Sequence, residues 1–345
     1  MKIDKKKFGK TTGGEAVDVY TLSNGGTELR LITYGGRWLS LNISGNDIAL
    51  GAPDLEGYQD MSPERNVYFG ALIGRCGNRI GNARFEINGT TYTVTPNIAP
   101  HTLHGGKYGF DKKVWTADTV EGRLKLSLLS PDGDEGYPGN LHAEVYHYIN
   151  AAGAIELEFV ATSDKDTICN LTQHNYFNLE GHNSGDVLGH QLTVYADFVT
   201  EIGEGLIPNG KLIEVAGTAY DFNTAKAIGR DIADPMLQSV RGYDVNFVIR
   251  RDGGEALQKA AEVFAPKSGI RMEVWTTKPS IQLYTGNYFE NLPAKGGQTY
   301  EQYAGFALET QYAPDSINHK GKAGFDDAAL KKGKVYRHKT EFRFK

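Results

Sequence analysis

The sequence predicts an all-β fold, one large antiparallel β-sandwich with few short helices, and three observations carry the prediction. Glycine is frequent, 42 of 345 residues, and is accompanied by 19 Tyr and 15 Phe, the mixture expected of many strands joined by tight turns. Apolar residues recur at period two in run after run, each bounded by turn-forming residues. Helical spacing is scarce, and no Pro- or Ser-rich linker, low-complexity tract or repeat divides the chain. Residues 1–345 are therefore expected to form a single domain around one core.

From the N-terminus, residues 17–22 and 27–33 are β-prone and are separated by Asn24, Gly25 and Gly26, which supply the positive φ angles of a hairpin turn. A second hairpin is clearer. Phe85 and Ile87 alternate with polar neighbours, Asn88 and Gly89 make the turn, and Tyr92 and Val94 resume the alternation. A two-residue loop sets Phe85 opposite Tyr92. Further strands are expected at 125–129, 143–149, 155–161, 191–199, 245–250, 269–276, 281–284 and 335–344. Helix is expected at 254–263, where composition and spacing suit one, and over a turn or two of 232–240 despite Pro235.

Composition narrows the function. Lys and Arg number 37 against 42 Asp and Glu, a net charge of −5, and no half of the chain is strongly basic. Nucleic acid is not an expected partner. No run approaches the eighteen or so apolar residues of a membrane span, and the start of the chain has positive charges but no apolar stretch after them. Cys76 and Cys169 match neither a redox pair nor a zinc motif and read as free thiols. The expected location is the cytoplasm. Oligomeric state leaves no signal in the residues.

Three segments place a titratable side chain among residues that otherwise suggest buried strand or tight turn. Isolated polar groups cost free energy in such settings and are kept for pairing or for chemistry. His104 stands beside Gly105 and Gly106, where a ligand or another backbone can approach closely. His174 follows an apolar run ending at Leu171 and opens a dense cluster with Asn175, Tyr176 and Asn178. Glu309 is embedded between Leu308 and Thr310 in a run that should be a buried strand, a rare place for Glu unless paired or functional. Arg79 offers a planar fork of donors and Asp244 an acceptor for two sugar hydroxyls. Asn78 and Gln282 stand with them in an ordered series. Tyr176, Trp275 and Phe289 lie near these motifs and could stack on a ligand, although aromatic residues are more often core.

That series resembles the aldose 1-epimerase family, the galactose mutarotases. The resemblance runs through Asn78 and Arg79, 103–106, 174–179, 206–210, 242–247, 281–287, 308–311 and 314–319. It implies a large β-sandwich with a shallow sugar cleft, no cofactor, a small-molecule monosaccharide substrate, and interconversion of the α and β anomers of free aldoses. By motif, Glu309 would be the general base at the anomeric hydroxyl and His174 the general acid at the ring oxygen. His104 would support charge at that oxygen or a neighbouring hydroxyl, and Asn78, Arg79, Asp244 and Gln282 would orient the sugar. Free Glu and His titrate near ~4.3 and ~6.5, so a base and a usable acid can coexist around neutrality and modest tuning would suffice. The chain departs from the pattern at Val245, where relatives often carry His, at Cys76 with Gly77, and over 319–330. Sugar specificity is what these departures leave open.

Four alternatives compete. A metal enzyme could use the two His and a carboxylate, but no His-x-His pair or His-Glu-x-x-His signature is present. A noncatalytic sugar-binding module would not need both Glu309 and His174. A hexose 6-phosphate epimerase should gather basic residues, and only Arg75 and Lys107 are near the motifs. A glycosidase pairing Glu309 with Asp244 would leave both His without roles.

Overall fold

The structure, a computed structural model, describes residues 1–60, 67–252 and 256–345. Three large sheets dominate, and every ladder between their strands is antiparallel. The largest has nine strands, in the order Thr116–Val120, Arg123–Ser130, Leu141–Ile149, Ile155–Ser163, Val335–Phe344, Arg271–Thr276, Gln258–Phe264, Gln191–Val194 and Lys226–Ala227. A six-stranded sheet runs Tyr176–Phe177, Phe306–Gln311, Ser280–Tyr284, Asp244–Ile249, Ala196–Ile202 and Pro208–Glu214. A five-stranded meander occupies the N-terminal residues 2–47.

Alternation decides what each strand buries. Phe306 and Leu308 join the apolar core with Ile281, Leu283 and Phe247 from neighbouring strands, and the nine-stranded sheet contributes Leu157, Phe159, Val274 and Phe342. Each such side chain, fully buried, contributes about 1.5–3 kcal/mol. Thr310 continues the inward row, and its hydroxyl meets that of Thr340 in the opposing sheet at 2.6 Å. The other face of the same strands presents Ala307, Glu309 and Gln311. Register then lines up the polar residues, because Glu309 lies opposite Gln282, and Gln282 opposite Asn246. A one-residue slip would replace this row with leucine and valine.

The expected hairpins form. Ala16–Asn24 pairs with Thr27–Ile32 through Gly25 and Gly26, both at positive φ, and Phe85 faces Tyr92 with rings stacked 5.6 Å apart. The helix expected at 254–263 does not form. Residues 254 and 255 lie outside the described residues, and Gln258–Phe264 is an interior strand of the nine-stranded sheet. Its register shifts between Lys259 and Ala261, so Ala260 and Ala261 are both buried. That bulge breaks the period-two pattern, and helix-favouring composition then misleads. At 232–240 only 3-10 turns occur, at Ile228–Asp231 and Pro235–Val240. The run 191–199 splits at Tyr195: Gln191–Val194 joins the nine-stranded sheet and Ala196–Ile202 the six-stranded one. Among the described residues the one α-helix is the five-residue Leu55–Gln59, and no helix is long and apolar enough to cross a membrane.

Candidate active site

A cavity of about 310 Å³ opens on the outer face of the six-stranded sheet, near the lower end of ordinary ligand pockets. Asn78, Arg79, His104, His174, Asp244 and Glu309 all line it. Glu309 projects from the Phe306–Gln311 strand and is 2% exposed. His174 ends the short strand Thr172–His174, which pairs with Ala71–Ile73, and its Nε2 lies 3.5 Å from Glu309 Oε1. Two groups 135 positions apart in the sequence thus form one pair.

His104 arrives by a different route. The two-residue strands Arg79–Ile80 and Thr102–Leu103 pair, with Leu103 opposite Arg79, and this sets His104 beside Asn78. The Asn78 amide donates to His104 Nδ1 at 3.2 Å, while the His104 amide donates to the Asn78 carbonyl at 3.0 Å. With Nδ1 accepting, a neutral His104 carries its proton on Nε2. The ring lies edge-on to His174, centroids 5.1 Å apart. The following turn requires glycine, since Gly105 has φ 90° and a Cβ there would come 1.9 Å from the Gly74 carbonyl oxygen.

Asp244 and Arg79 form the polar end of the cavity. Arg79 Nη2 lies 3.7 Å from Asp244 Oδ2, and the Asn78 side-chain oxygen accepts from the Arg79 amide at 2.8 Å. Gln282 is absent from the lining. Its Nε2 donates to Asp244 Oδ1 at 2.6 Å, so it braces the carboxylate from within the sheet. Tyr176 and Phe289 supply apolar wall, as do Tyr68, Tyr284 and Tyr288, which sequence reasoning missed. Tyr284 was findable, because it shares a strand face with Gln282 at period two; Tyr68 carries no such signal. Trp275 sits in the nine-stranded sheet, its ring 4.2 Å from the Arg343 guanidinium carbon, away from the cleft.

The surroundings reshape both members of the pair. Burial, helped by the Asp244 charge, pushes the Glu309 carboxyl up to about 8, against opposing pulls from Arg79 and Lys278. Burial, with a smaller contribution from the Arg37 charge, pushes His174 down to about 3. His104 is also held well below the usual imidazole range, chiefly by burial and then by His174. Both shifts exceed the modest tuning that would suffice for this chemistry, and both disfavour the charged forms of the pair.

Neither basic residue near the motifs is free to gather a phosphate. Arg75 is 1% exposed, with Nε donating to Ser130 Oγ and Nη1 to the Pro138 carbonyl, both at 2.8 Å. Lys107 lies over the Tyr108 ring, 5.3 Å from its centroid, and does not line the cavity. Cys76 and Cys169 are free and buried.

Residues 18–343 match the profile of the family described as Aldose 1-epimerase. The chain is 36% identical over 349 residues to the galactose mutarotase of Homo sapiens, covering 99% of this chain and 98% of that one. It is 37% identical over 339 residues to the aldose 1-epimerase of Escherichia coli (strain K12), covering 96% of each. Among solved structures, the galactose 1-epimerase of Lactobacillus acidophilus NCFM superposes with a TM-score of 0.85 at 25% identity, covering 100% of this chain and 99% of that one. A likeness of this extent, over a cleft built from motifs spread along the whole sequence, places the chain in the aldose 1-epimerase family.

Proposed function

We propose that the protein interconverts the α and β anomers of free aldohexoses such as galactose and glucose by acid/base ring opening and closure, the chain acting as one domain. One observation carries this reading: Glu309 and His174 stand 3.5 Å apart on the wall of a cavity that also presents Asp244 and Arg79. A pyranose anchored at Asp244 and Arg79 brings its anomeric end to the pair. Glu309 takes the proton from the anomeric hydroxyl as His174 delivers one to the ring oxygen, and the C1 to ring-oxygen bond breaks. Rotation about C1–C2 presents the other aldehyde face, and the two groups exchange roles as the ring closes. The working form, anionic Glu309 with protonated His174, contains the same number of protons as the resting form. Transfer of one proton across the pair reaches it. His104 Nε2–H is a donor for the ring oxygen or an adjoining hydroxyl.

Polarimetry on fresh α-glucose and α-galactose tests the reading. Glu309→Gln is expected to lower kcat by about 10²–10⁴, the usual weight of a general base, and a variant with wild-type turnover contradicts the assignment. A metal-dependent reading has one observation in its favour, since donor atoms of His104, His174 and Glu309 all lie within 4.8 Å of one another. Occupancy by a cation would convert both proton carriers into ligands. Unchanged turnover after chelation supports proton transfer, whereas loss restored by zinc supports the metal.

A further inference from the structure

Lys278 is buried, 0% exposed, between the six-stranded and nine-stranded sheets, and the proton chemistry above does not use it. Its Nζ donates to the carbonyl oxygens of Leu171 and Thr310, the latter at 3.2 Å, and lies 3.9 Å from the centroid of the Phe159 ring. Leu171 directly precedes the strand that carries His174, and Thr310 directly follows Glu309.

The ladder explains why those two carbonyls need a partner. On one side, Phe306–Gln311 is paired with Ser280–Tyr284 from Ala307 to Gln311. On the other, Tyr176–Phe177 covers only Ala307 and Phe306. Upstream of Tyr176 the chain leaves this edge, and Thr172–His174 pairs with Ala71–Ile73 instead. The strand bearing the acid therefore runs beside the strand bearing the base with no ladder between them, an arrangement that leaves their side chains 3.5 Å apart. It also leaves buried carbonyl groups without ladder donors, which a folded protein must satisfy some other way.

We propose that Lys278 is a positioning residue, a strut that bridges this break in the ladder and fixes the strand carrying His174 against the strand carrying Glu309. The inference rests on the acid/base reading above. Charged, the amine has three donors; neutral, it still has two, one for each carbonyl. This matters because burial lowers Lys278 to about 7, with Cys169 and Glu309 opposing that shift to a smaller extent. Cys169, Glu309 and His338 are the titratable groups coupled to it, and the strut works in either protonation state.

The test compares Lys278→Met with Lys278→Gln, whose amide retains donors for the carbonyls. Lys278→Met is expected to lower kcat at least tenfold with KM within twofold, and Lys278→Gln to restore kcat to within threefold of wild type. In a crystal structure of Lys278→Met, His174 Nε2 and Glu309 Oε1 should move clearly beyond their present 3.5 Å. Wild-type kcat in Lys278→Met, or a folded Lys278→Gln as impaired as Lys278→Met, overturns the strut. Should Lys278→Met fail to fold, Lys278→Gln decides through its own structure: an intact His174 to Glu309 contact with its amide on both carbonyls supports the strut, and the same contact with the amide on neither overturns it. A wild-type enzyme that does not mutarotate sugars defeats the proposed function instead, and the structural comparison still judges the strut.

Discussion

Glu309 and His174 sit in surroundings that oppose their charges, and this predicts the pH dependence of turnover. With Glu309 near 8 and His174 near 3, the pair holds one proton across the range between. Above about 8 the proton leaves, Glu309 remains a base, and no acid is left for the ring oxygen. We therefore expect kcat/KM, corrected for spontaneous mutarotation, to be flat from about pH 5 to about 7.5 and to fall roughly tenfold per unit above about 8. The two values belong to the pair rather than to either residue. A basic limb centred at the ordinary imidazole value of 6.5 would show His174 titrating alone, contrary to this account. At the same scale, Gly242 precedes Asp244 by two positions at φ 145°, and a Cβ there would come 2.4 Å from the Asn287 side-chain oxygen. A side chain at that position would disturb the approach to Asp244.

Strands, as elements, decide which polar groups share a face. Asp244 is held by Gln282 from the adjacent strand, and Gln311 Nε2 reaches Gln282 Oε1 at 3.5 Å, so the sheet presents the carboxylate already oriented. Replacing Gln282 with Leu removes one donor to a charged acceptor, a loss of about 1.5–3 kcal/mol. We expect KM to rise about tenfold with kcat within about threefold, the signature of lost uniform binding. A large fall in kcat with unchanged KM would place Gln282 in the chemistry itself. Elements also show where sequence signals fail. The first strand, Lys2–Lys10, is exposed along most of its length and offers no apolar alternation, so periodicity could not find it. Its lysines lie along the edge of the five-stranded sheet, where charge discourages pairing with other chains.

At the scale of the whole molecule, the core imposes a cost at acid pH. His147 and His338 are depressed to about 3 and His190 to about 4, each chiefly by burial, and His174 behaves alike. A depressed imidazole lends stability that is present above its unfolded value of about 6.5 and is lost as pH falls toward the folded value, because the unfolded chain binds more protons there. Glu309 acts in the opposite sense: its contribution is fully present below its unfolded value of 4.5 and is lost progressively as pH rises from there to about 8, so it offsets part of the histidine effect. Urea midpoints should therefore fall between pH 7 and pH 4, and His147→Leu, in the core beside Trp38, should shallow that fall. Midpoints unchanged down to pH 4 would contradict it. Taken by themselves, the residues determined the all-β class, the hairpins at 24–26 and 88–89, most strand positions, and a carboxylate and two imidazoles whose apolar settings set them apart; the family resemblance added Asn78, Arg79, Asp244 and Gln282 as candidates for orienting a substrate. Those signals are local, carried by alternation and turn chemistry within a few positions. The tertiary structure alone decided that 191–199 divides between two sheets, that the bulge beside Ala260 makes a strand of a helix-like run, that Gln282 braces Asp244 and Lys278 reaches the carbonyls of Leu171 and Thr310, and that burial opposes the charges of both Glu309 and His174. Each of these depends on cross-strand partners and on desolvation summed over residues far apart in the chain, and no window of neighbouring residues contains that information.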